Sequence, residues 1–310
     1  MRLFSSLPAW LYQASLLLAA LIWGGSFVVL KDALDTVPPG WLLGFRFLAS
    51  AILLHVIFRK RFAAAIDGSH LLAGLMIGLP QGLGYLIQNI GLTSISPGRN
   101  AFLTAVYCVI VPFLNWLVFR RRPGLNHVLA AFLALAGVAL LCLDFSAGSR
   151  DLALSLSSGD VFTLVAALMF SLNIVFVAYA GRAHDIVVLT VLMLYVSSLV
   201  CFAYAVVAEP VDAVASLAGP LLPQMAYLVL LSTVFCSLAQ NVAQRHVEAA
   251  TAALLLSFES VFAVLASVIF YGEPLNAQLL VGFALIFAAV LVSELGGRWM
   301  GAQAGGEGGR

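Results

Sequence analysis

Residues 14–30 read ASLLLAALIWGGSFVVL, and Lys31-Asp-Ala-Leu-Asp35 closes the run. A helix rises about 1.5 Å per residue, so an uncharged run of roughly twenty residues crosses a bilayer core of about 30 Å. Runs of this kind recur along the whole chain, which is 63% apolar and 9% charged with a mean hydropathy of +1.07. A soluble domain of this size needs more charged surface. No small-x-small site follows Leu30, so the first run reads as a retained helix rather than a leader to be removed. The expected fold is all-α and polytopic.

Working outward from this run, the charged or Pro/Gly-rich joints divide the chain into ten spans near 14–31, 40–58, 70–92, 98–119, 126–144, 158–180, 186–207, 223–244, 249–271 and 275–294. With the amino terminus inside, the cytoplasmic joints hold eleven cations: Arg2, Arg59, Lys60, Arg61, Arg120, Arg121, Arg122, Arg182, Arg245, Arg298 and Arg310. The outer joints hold three, Lys31, Arg99 and Arg150, while Arg46 lies within a span. Lys and Arg in short joints mark the cytoplasmic side. Both termini are therefore expected in the cytoplasm, in a cell (inner) membrane. The Gly-rich stretch 298–310 reads as a disordered tail.

Composition narrows function. A net charge of +1 offers no basic face for nucleic acid. Cys108, Cys142, Cys201 and Cys236 all lie in apolar runs without metal-binding spacing, so neither a cofactor nor a metal is expected. No joint is long enough to form a soluble domain. The chemistry must lie inside the bilayer.

The chain repeats itself at roughly 150 residues. Gln88-Asn89-Ile90 matches Gln240-Asn241-Val242, and Asn100-Ala-Phe-Leu-Thr-Ala-Val-Tyr107 matches Thr251-Ala-Ala-Leu-Leu-Leu-Ser-Phe258. Arg122-Pro-Gly-Leu-Asn126 matches Glu273-Pro-Leu-Asn276, and Trp23-Gly-Gly-Ser26 finds a weaker counterpart in Phe170-Ser-Leu-Asn173. The halves are 1–145 and 146–297. Five spans per half is an odd number, so the second copy must enter the membrane upside down. Inverted repeats around a midplane site are a construction of secondary transporters.

The same segments carry a resemblance. Trp23-Gly-Gly-Ser-Phe27, Pro38-Pro39 followed by Arg46-Phe-Leu-Ala49, Asn100-Ala-Phe-Leu-Thr104, Ala252-Ala-Leu-Leu-Leu-Ser-Phe-Glu259 and Gly272-Glu-Pro-Leu275 together resemble the EamA-type branch of the drug/metabolite transporter superfamily. The resemblance implies a ten-helix carrier with a central cavity, moving amino acids, related metabolites or drugs outward across a bacterial inner membrane. Where that family often has Glu-Pro, this chain has Glu259-Ser260, which puts a helix break there in doubt.

Individual residues suggest the site. Glu259 lies near the middle of its span, where an ionised carboxylate must be paired, protonated or in a water-filled cavity. It could bind a substrate ammonium or carry a coupling proton. Arg46 could bind a substrate carboxylate, pair with Glu259, or hold helix carbonyls. Trp23, Tyr85, Tyr107 and Phe258 could wall a cavity, and Asn115 and Asn173 could supply amides. Gln88, Asn89, Gln240 and Asn241 read as cavity or helix-end polar groups. Gly74, Gly78 and Gly82 make one smooth helix face for close packing, and Pro80 and Pro112 mark candidate bends.

An intramembrane enzyme is the competing class. None of the five histidines falls at metalloprotease spacing, and a Ser26–His55 pair lacks a nucleophile turn. A channel would want a filter or a charged ring, and neither is evident. The second half has no Lys or Arg inside any span, which disfavours phosphorylated solutes. The expectation is a transporter of neutral, zwitterionic or amphipathic small molecules, amino-acid-like first. Export comes from the resemblance alone; import of the same solutes is the alternative.

Overall fold

Apolar runs in a bilayer must satisfy every backbone N–H and C=O internally, and the helix is the structure that does so within one segment. The computed structural model describes residues 8–120, 123–142, 156–217, 219–243, 246–247, 249–272 and 276–306. Arg2, Arg121, Arg122, Arg150, Arg245 and Arg310, part of the charge count, and the Glu273-Pro-Leu275 match lie outside these residues. No strand occurs among the described residues.

The first half comprises α1 (Ala9–Leu34), α2 (Pro39–Ile57), a short α3 (Arg59–Ala65), α4 (Gly68–Leu92), α5 (Pro97–Ala105), α6 (Tyr107–Phe119) and α7 (Leu125–Cys142). The second comprises α8 (Ser158–Ala180), α9 (Ile186–Ala208), α10 (Leu222–Ala226), a π-helical stretch at Tyr227–Phe235, α11 (Cys236–Ala243), α12 (Ala249–Tyr271) and α13 (Ala277–Gly306). Two 3₁₀ turns, Val211–Leu217 and Gly219–Leu221, join α9 to α10. By length and composition, seven helical segments among the described residues can cross a membrane, and Leu125–Leu140, Leu255–Tyr271 and Ala277–Ser293 are shorter apolar helices. Large apolar side chains face outward, with Leu72 70%, Ile269 72% and Phe270 74% exposed, whereas Asn89, Asn100 and Thr163 are fully buried. That inside-out distribution suits lipid.

Contacts at the helix ends fix the direction of each element. Tyr12, near the start of α1, stacks on His246 just after α11 at 4.4 Å. At the far end of α1, Lys31 Nζ donates to the carbonyls of Leu92 and Thr93 at 2.7 and 2.9 Å, placing a cation on the carbonyl end of α4. Beside it Asp32 accepts from the Tyr271 hydroxyl at the end of α12. On this far face the Glu209 carboxylate accepts from Gly40 N and Trp41 N at 2.8 and 3.0 Å, covering the unpaired amides that open α2. Arg99, opening the α5–α6 segment, grips Asp160 at the start of α8. Thus α1 begins on one face and α8 on the opposite face. The second copy is inverted.

Packing repeats the symmetry. The α1–α12 contact recurs as α8 against α5 and α6, and the α4–α9 contact recurs more loosely as the π stretch against α2. Two pairs, α2 with α9 and α7 with α13, map onto themselves. Glycines allow the tightest approaches. A Cβ on Gly78 would lie 2.5 Å from Val196 Cβ, and one on Gly74 would lie 2.5 Å from Leu192 Cβ. One on Gly82 would meet Ser197 Cα at 2.8 Å, so the Gly74–Gly78–Gly82 face is the seat of α9.

Several details depart from the sequence reading. Helix α4 runs unbroken through Pro80, and Pro112 lies inside α6; the interruption falls at Val106, between α5 and α6. Helix α12 passes through Glu259-Ser260 without a break, in line with the missing proline there. Helix α13 extends to Gly306, so residues 298–306 are helical rather than a disordered tail. A helix already nucleated adds a hydrogen bond for each further residue it orders.

Candidate functional site

A cavity of about 620 Å³, counting the space at its open side, lies between the two halves. Helix α1 presents Trp23, Ser26, Phe27 and Leu30, and α4 presents Gln81, Tyr85 and Gln88. Spacings of three, four and seven residues keep each set on one helical face. Thr104 and Tyr107 flank the interruption at Val106. From the second half come Phe170, Asn173 and Ile174 of α8, Gln240 of α11 and Glu259 of α12.

The position of Glu259 depends on Gly24. A Cβ there would lie 2.8 Å from the Glu259 carbonyl and 2.6 Å from Phe262 Cβ. Its absence lets α12 press against α1, which brings the carboxyl beside Trp23. No hydrogen bond or ion pair engages that carboxyl among the described residues. It also borders a small adjoining crevice with Ser257 and Tyr107.

Other wall groups are held in place. Gln88 Nε2 donates to Thr104 Oγ1 at 2.8 Å, and Trp23 Nε1 donates to the Ser232 carbonyl at 2.7 Å. Asn173 Nδ2 donates to the Ile77 carbonyl of α4 at 2.8 Å. Ser171 Oγ donates to the Tyr107 carbonyl at 3.2 Å beside the interruption in the α5–α6 segment.

Arg46 does not line the cavity and forms no ion pair with Glu259. It is fully buried behind Tyr85, its guanidinium 5.3 Å from that ring's centroid and 5.6 Å from Phe47. Nε donates to Thr233 Oγ1 at 2.7 Å and Nη2 to Ser232 Oγ at 3.0 Å, while Nη1 has no partner among the described residues. Both hydroxyls lie in the π stretch, where Thr233 Oγ1 donates five residues back to the Leu228 carbonyl at 2.8 Å. Tyr227, at the same stretch, donates its hydroxyl to the Ile22 carbonyl at 2.6 Å. Widened turns of this kind are rare and are frequent at functional sites.

The structure therefore brings Glu259, Trp23, Tyr85, Tyr107, Asn173, Gln88 and Gln240 together. It leaves out Phe258, which packs edge-on to Phe287 at 5.7 Å, and Asn115, further along α6. Asn89 Nδ2 bonds the Tyr85 carbonyl one turn back in its own helix, and Asn241 Nδ2 bonds Thr190 of α9, so only the second joins two helices. Gln81 and Phe170 are wall residues the sequence reading missed. Gln81 could have been found from its seven-residue spacing to Gln88. Ser26 donates to the Trp23 carbonyl and His55 meets the Tyr195 hydroxyl, so each is engaged apart from the other.

On the face where α1 begins, a polar cluster ties α3 to the starts of α4 and α9. Arg61 Nε donates to Asp185 at 2.7 Å, and His70 sits against Asp67 at 2.8 Å and stacks edge-on to His184 at 4.7 Å. Amide and side-chain hydrogen bonds from His70, with one from Ser69, hold the Asp67 carboxyl well below the usual carboxylate range. Burial pushes Asp185 up, but Arg61 and the Val187 and Val188 amides outweigh it, leaving that carboxyl below its ordinary value. No group of three His, Cys, Asp or Glu among the described residues is placed to hold a metal ion.

The EamA-like transporter family model matches this chain twice, over residues 10–143 and 157–295. The chain belongs to the EamA-like transporter family. Its two matches are the two inverted halves. An uncharacterized transporter of Archaeoglobus fulgidus is 28% identical over 284 residues, covering 90% of this chain and 84% of that one. The uncharacterized inner membrane transporter YedA of Escherichia coli is 26% identical over 277 residues, covering 88% and 87%. YoaV of Bacillus subtilis, also an uncharacterized transporter, is 22% identical over 275 residues. A solved crystal structure shares the fold with a TM-score of 0.65 at 16% identity, covering 92% of this chain and 96% of that one. This chain is a multi-pass membrane transporter.

Proposed function

We propose that the protein is a secondary carrier of the bacterial inner membrane that exports small organic metabolites by alternating access. Ten helices cross the bilayer, both termini are cytoplasmic, and residues 1–145 and 146–297 are the two moving halves. The observation that carries the reading is the polar and aromatic cavity whose walls come from both halves and whose one carboxylate among the described lining residues, Glu259, is engaged by none of the described residues' hydrogen bonds or ion pairs. Rocking two inverted halves about such a site exposes it to either side in turn. The candidate solutes range from amino-acid-like to amphipathic small molecules, with Glu259 as the group that binds the solute or carries a coupling proton. The relatives support membrane transport, the inner-membrane name of the Escherichia coli relative supports the location, and the direction rests on family resemblance.

The test is counterflow in proteoliposomes holding the purified chain, with radiolabelled amino acids and amines as probes. A carrier gives saturable uptake that unlabelled solute inside the vesicle accelerates. Uptake linear in concentration and indifferent to internal solute would refute it. Glu259→Gln should abolish any dependence of flux on an imposed pH gradient.

A further inference from the structure

The walls of the cavity are unbalanced in charge. Glu259 is the one acidic side chain among its described lining residues, and no Lys, Arg or His lies with it. Its carboxyl is engaged by none of the hydrogen bonds or ion pairs of the described residues. A carboxylate in the membrane interior needs a cation or water to offset its lost hydration. Around it stand the rings of Trp23, Phe27, Tyr85, Tyr107 and Phe170. Aromatic faces attract ammonium groups, and more strongly where water is excluded. The amides of Gln81, Gln88, Asn173 and Gln240 can bond neutral polar groups but cannot neutralise an anion.

The candidate counter-charge that lies within a span is Arg46. Its guanidinium lies behind the Tyr85 ring and is already bonded to Ser232 and Thr233. A zwitterion with its ammonium on Glu259 would leave its own carboxylate in the same cavity without a cation. A charge left without a partner in a low-dielectric site is strongly penalised.

We propose that this cavity recognises organic amines lacking a carboxylate: the protonated amine sits on Glu259 and an apolar or aromatic body lies among the five rings. The inference rests on the carrier reading above and names its substrate class. Zwitterionic amino acids are disfavoured by the missing cation, and uncharged analogues by the loss of the ion pair with Glu259.

Three indoles of matched shape separate the cases: tryptamine carries the amine alone, tryptophan adds a carboxylate, and tryptophol has neither charge. Radiolabelled tryptamine is equilibrated with the purified full-length chain, and the other two are titrated as competitors. The expected result is binding of tryptamine at least tenfold tighter than of tryptophan or tryptophol. Glu259→Gln should bring the three within about threefold of one another. The wild-type ranking needs no variant and stands even if Glu259→Gln does not fold. Equal affinities, tighter binding of tryptophan, or no binding of tryptamine would overturn the proposal. Counterflow of the same indoles in proteoliposomes reports separately on whether the protein is a carrier.

Discussion

Asp160 offers the sharpest test of how the halves are joined. Its carboxylate is fully buried, whereas the Arg99 side chain it pairs with is 23% exposed. Oδ1 accepts from Arg99 Nε at 2.7 Å, and Oδ2 accepts from Arg99 Nη2 at 2.8 Å and Ser157 N at 3.0 Å. One residue thus closes the capping box of α8 and carries a two-point ion pair to α5. Asp160→Asn keeps an oxygen for the Ser157 amide and removes the charge. Breaking a buried pair costs about 3–5 kcal/mol, but Arg99 can reach water, so about 2–3 kcal/mol is expected here. Asp160→Ala also loses the cap, adding about 1 kcal/mol. At about 2–4 °C per kcal/mol, the midpoint should fall by roughly 4–12 °C for Asn and further for Ala. Thermal unfolding in detergent at a fixed scan rate measures this. A double-mutant cycle with Arg99→Gln should give a coupling of about 1.5 kcal/mol or more. An Asn variant as stable as the native chain, with zero coupling, would show that the pair contributes nothing.

Other outcomes follow from the packing and the charges. Gly78→Ala should lower the thermal midpoint by the equivalent of about 1–3 kcal/mol, because its Cβ meets Val196. Gly68→Ala, with nothing within 4 Å, should not, and equal losses from both would remove the close-packing argument. Thr233→Val should cost about 1–3 kcal/mol by taking the Nε partner from buried Arg46, and Thr233→Ser should recover most of it in the same thermal assay. For pH, Asp67 has its folded pKa depressed, so it adds stability above its unfolded pKa of about 3.9 and loses it as pH falls through the folded value. The stability difference between the native chain and Asp67→Asn should therefore be present at pH 7 and shrink below about pH 4. A difference that is constant with pH would contradict the assignment.

Much of this was legible before any coordinates. The uncharged run at 14–30 demands a membrane helix, and matched segments such as Gln88-Asn89 and Gln240-Asn241 reveal two copies. An odd number of spans then requires inversion. Glu259 announces itself because a carboxyl in an apolar span must face something polar. Phe258 shows where such reasoning stops: it neighbours Glu259 in the chain, yet its ring packs edge-on to Phe287 of α13 instead of lining the cavity. Asn115 lies eight residues beyond Tyr107, about 12 Å along α6, too far to join it at the cavity.

Composition and repetition alone determined that this is an inverted pair of helical units in a bilayer, because lipid permits so few backbone solutions. Only the tertiary structure decided which polar groups meet. Arg46 could have faced Glu259 by its place in the chain, yet it serves the π-helical stretch of the opposite half instead. The rotation of each helix about its axis depends on small contacts, such as Gly24 against α12, made between residues far apart in the chain. Periodicity within one helix carries no information about them.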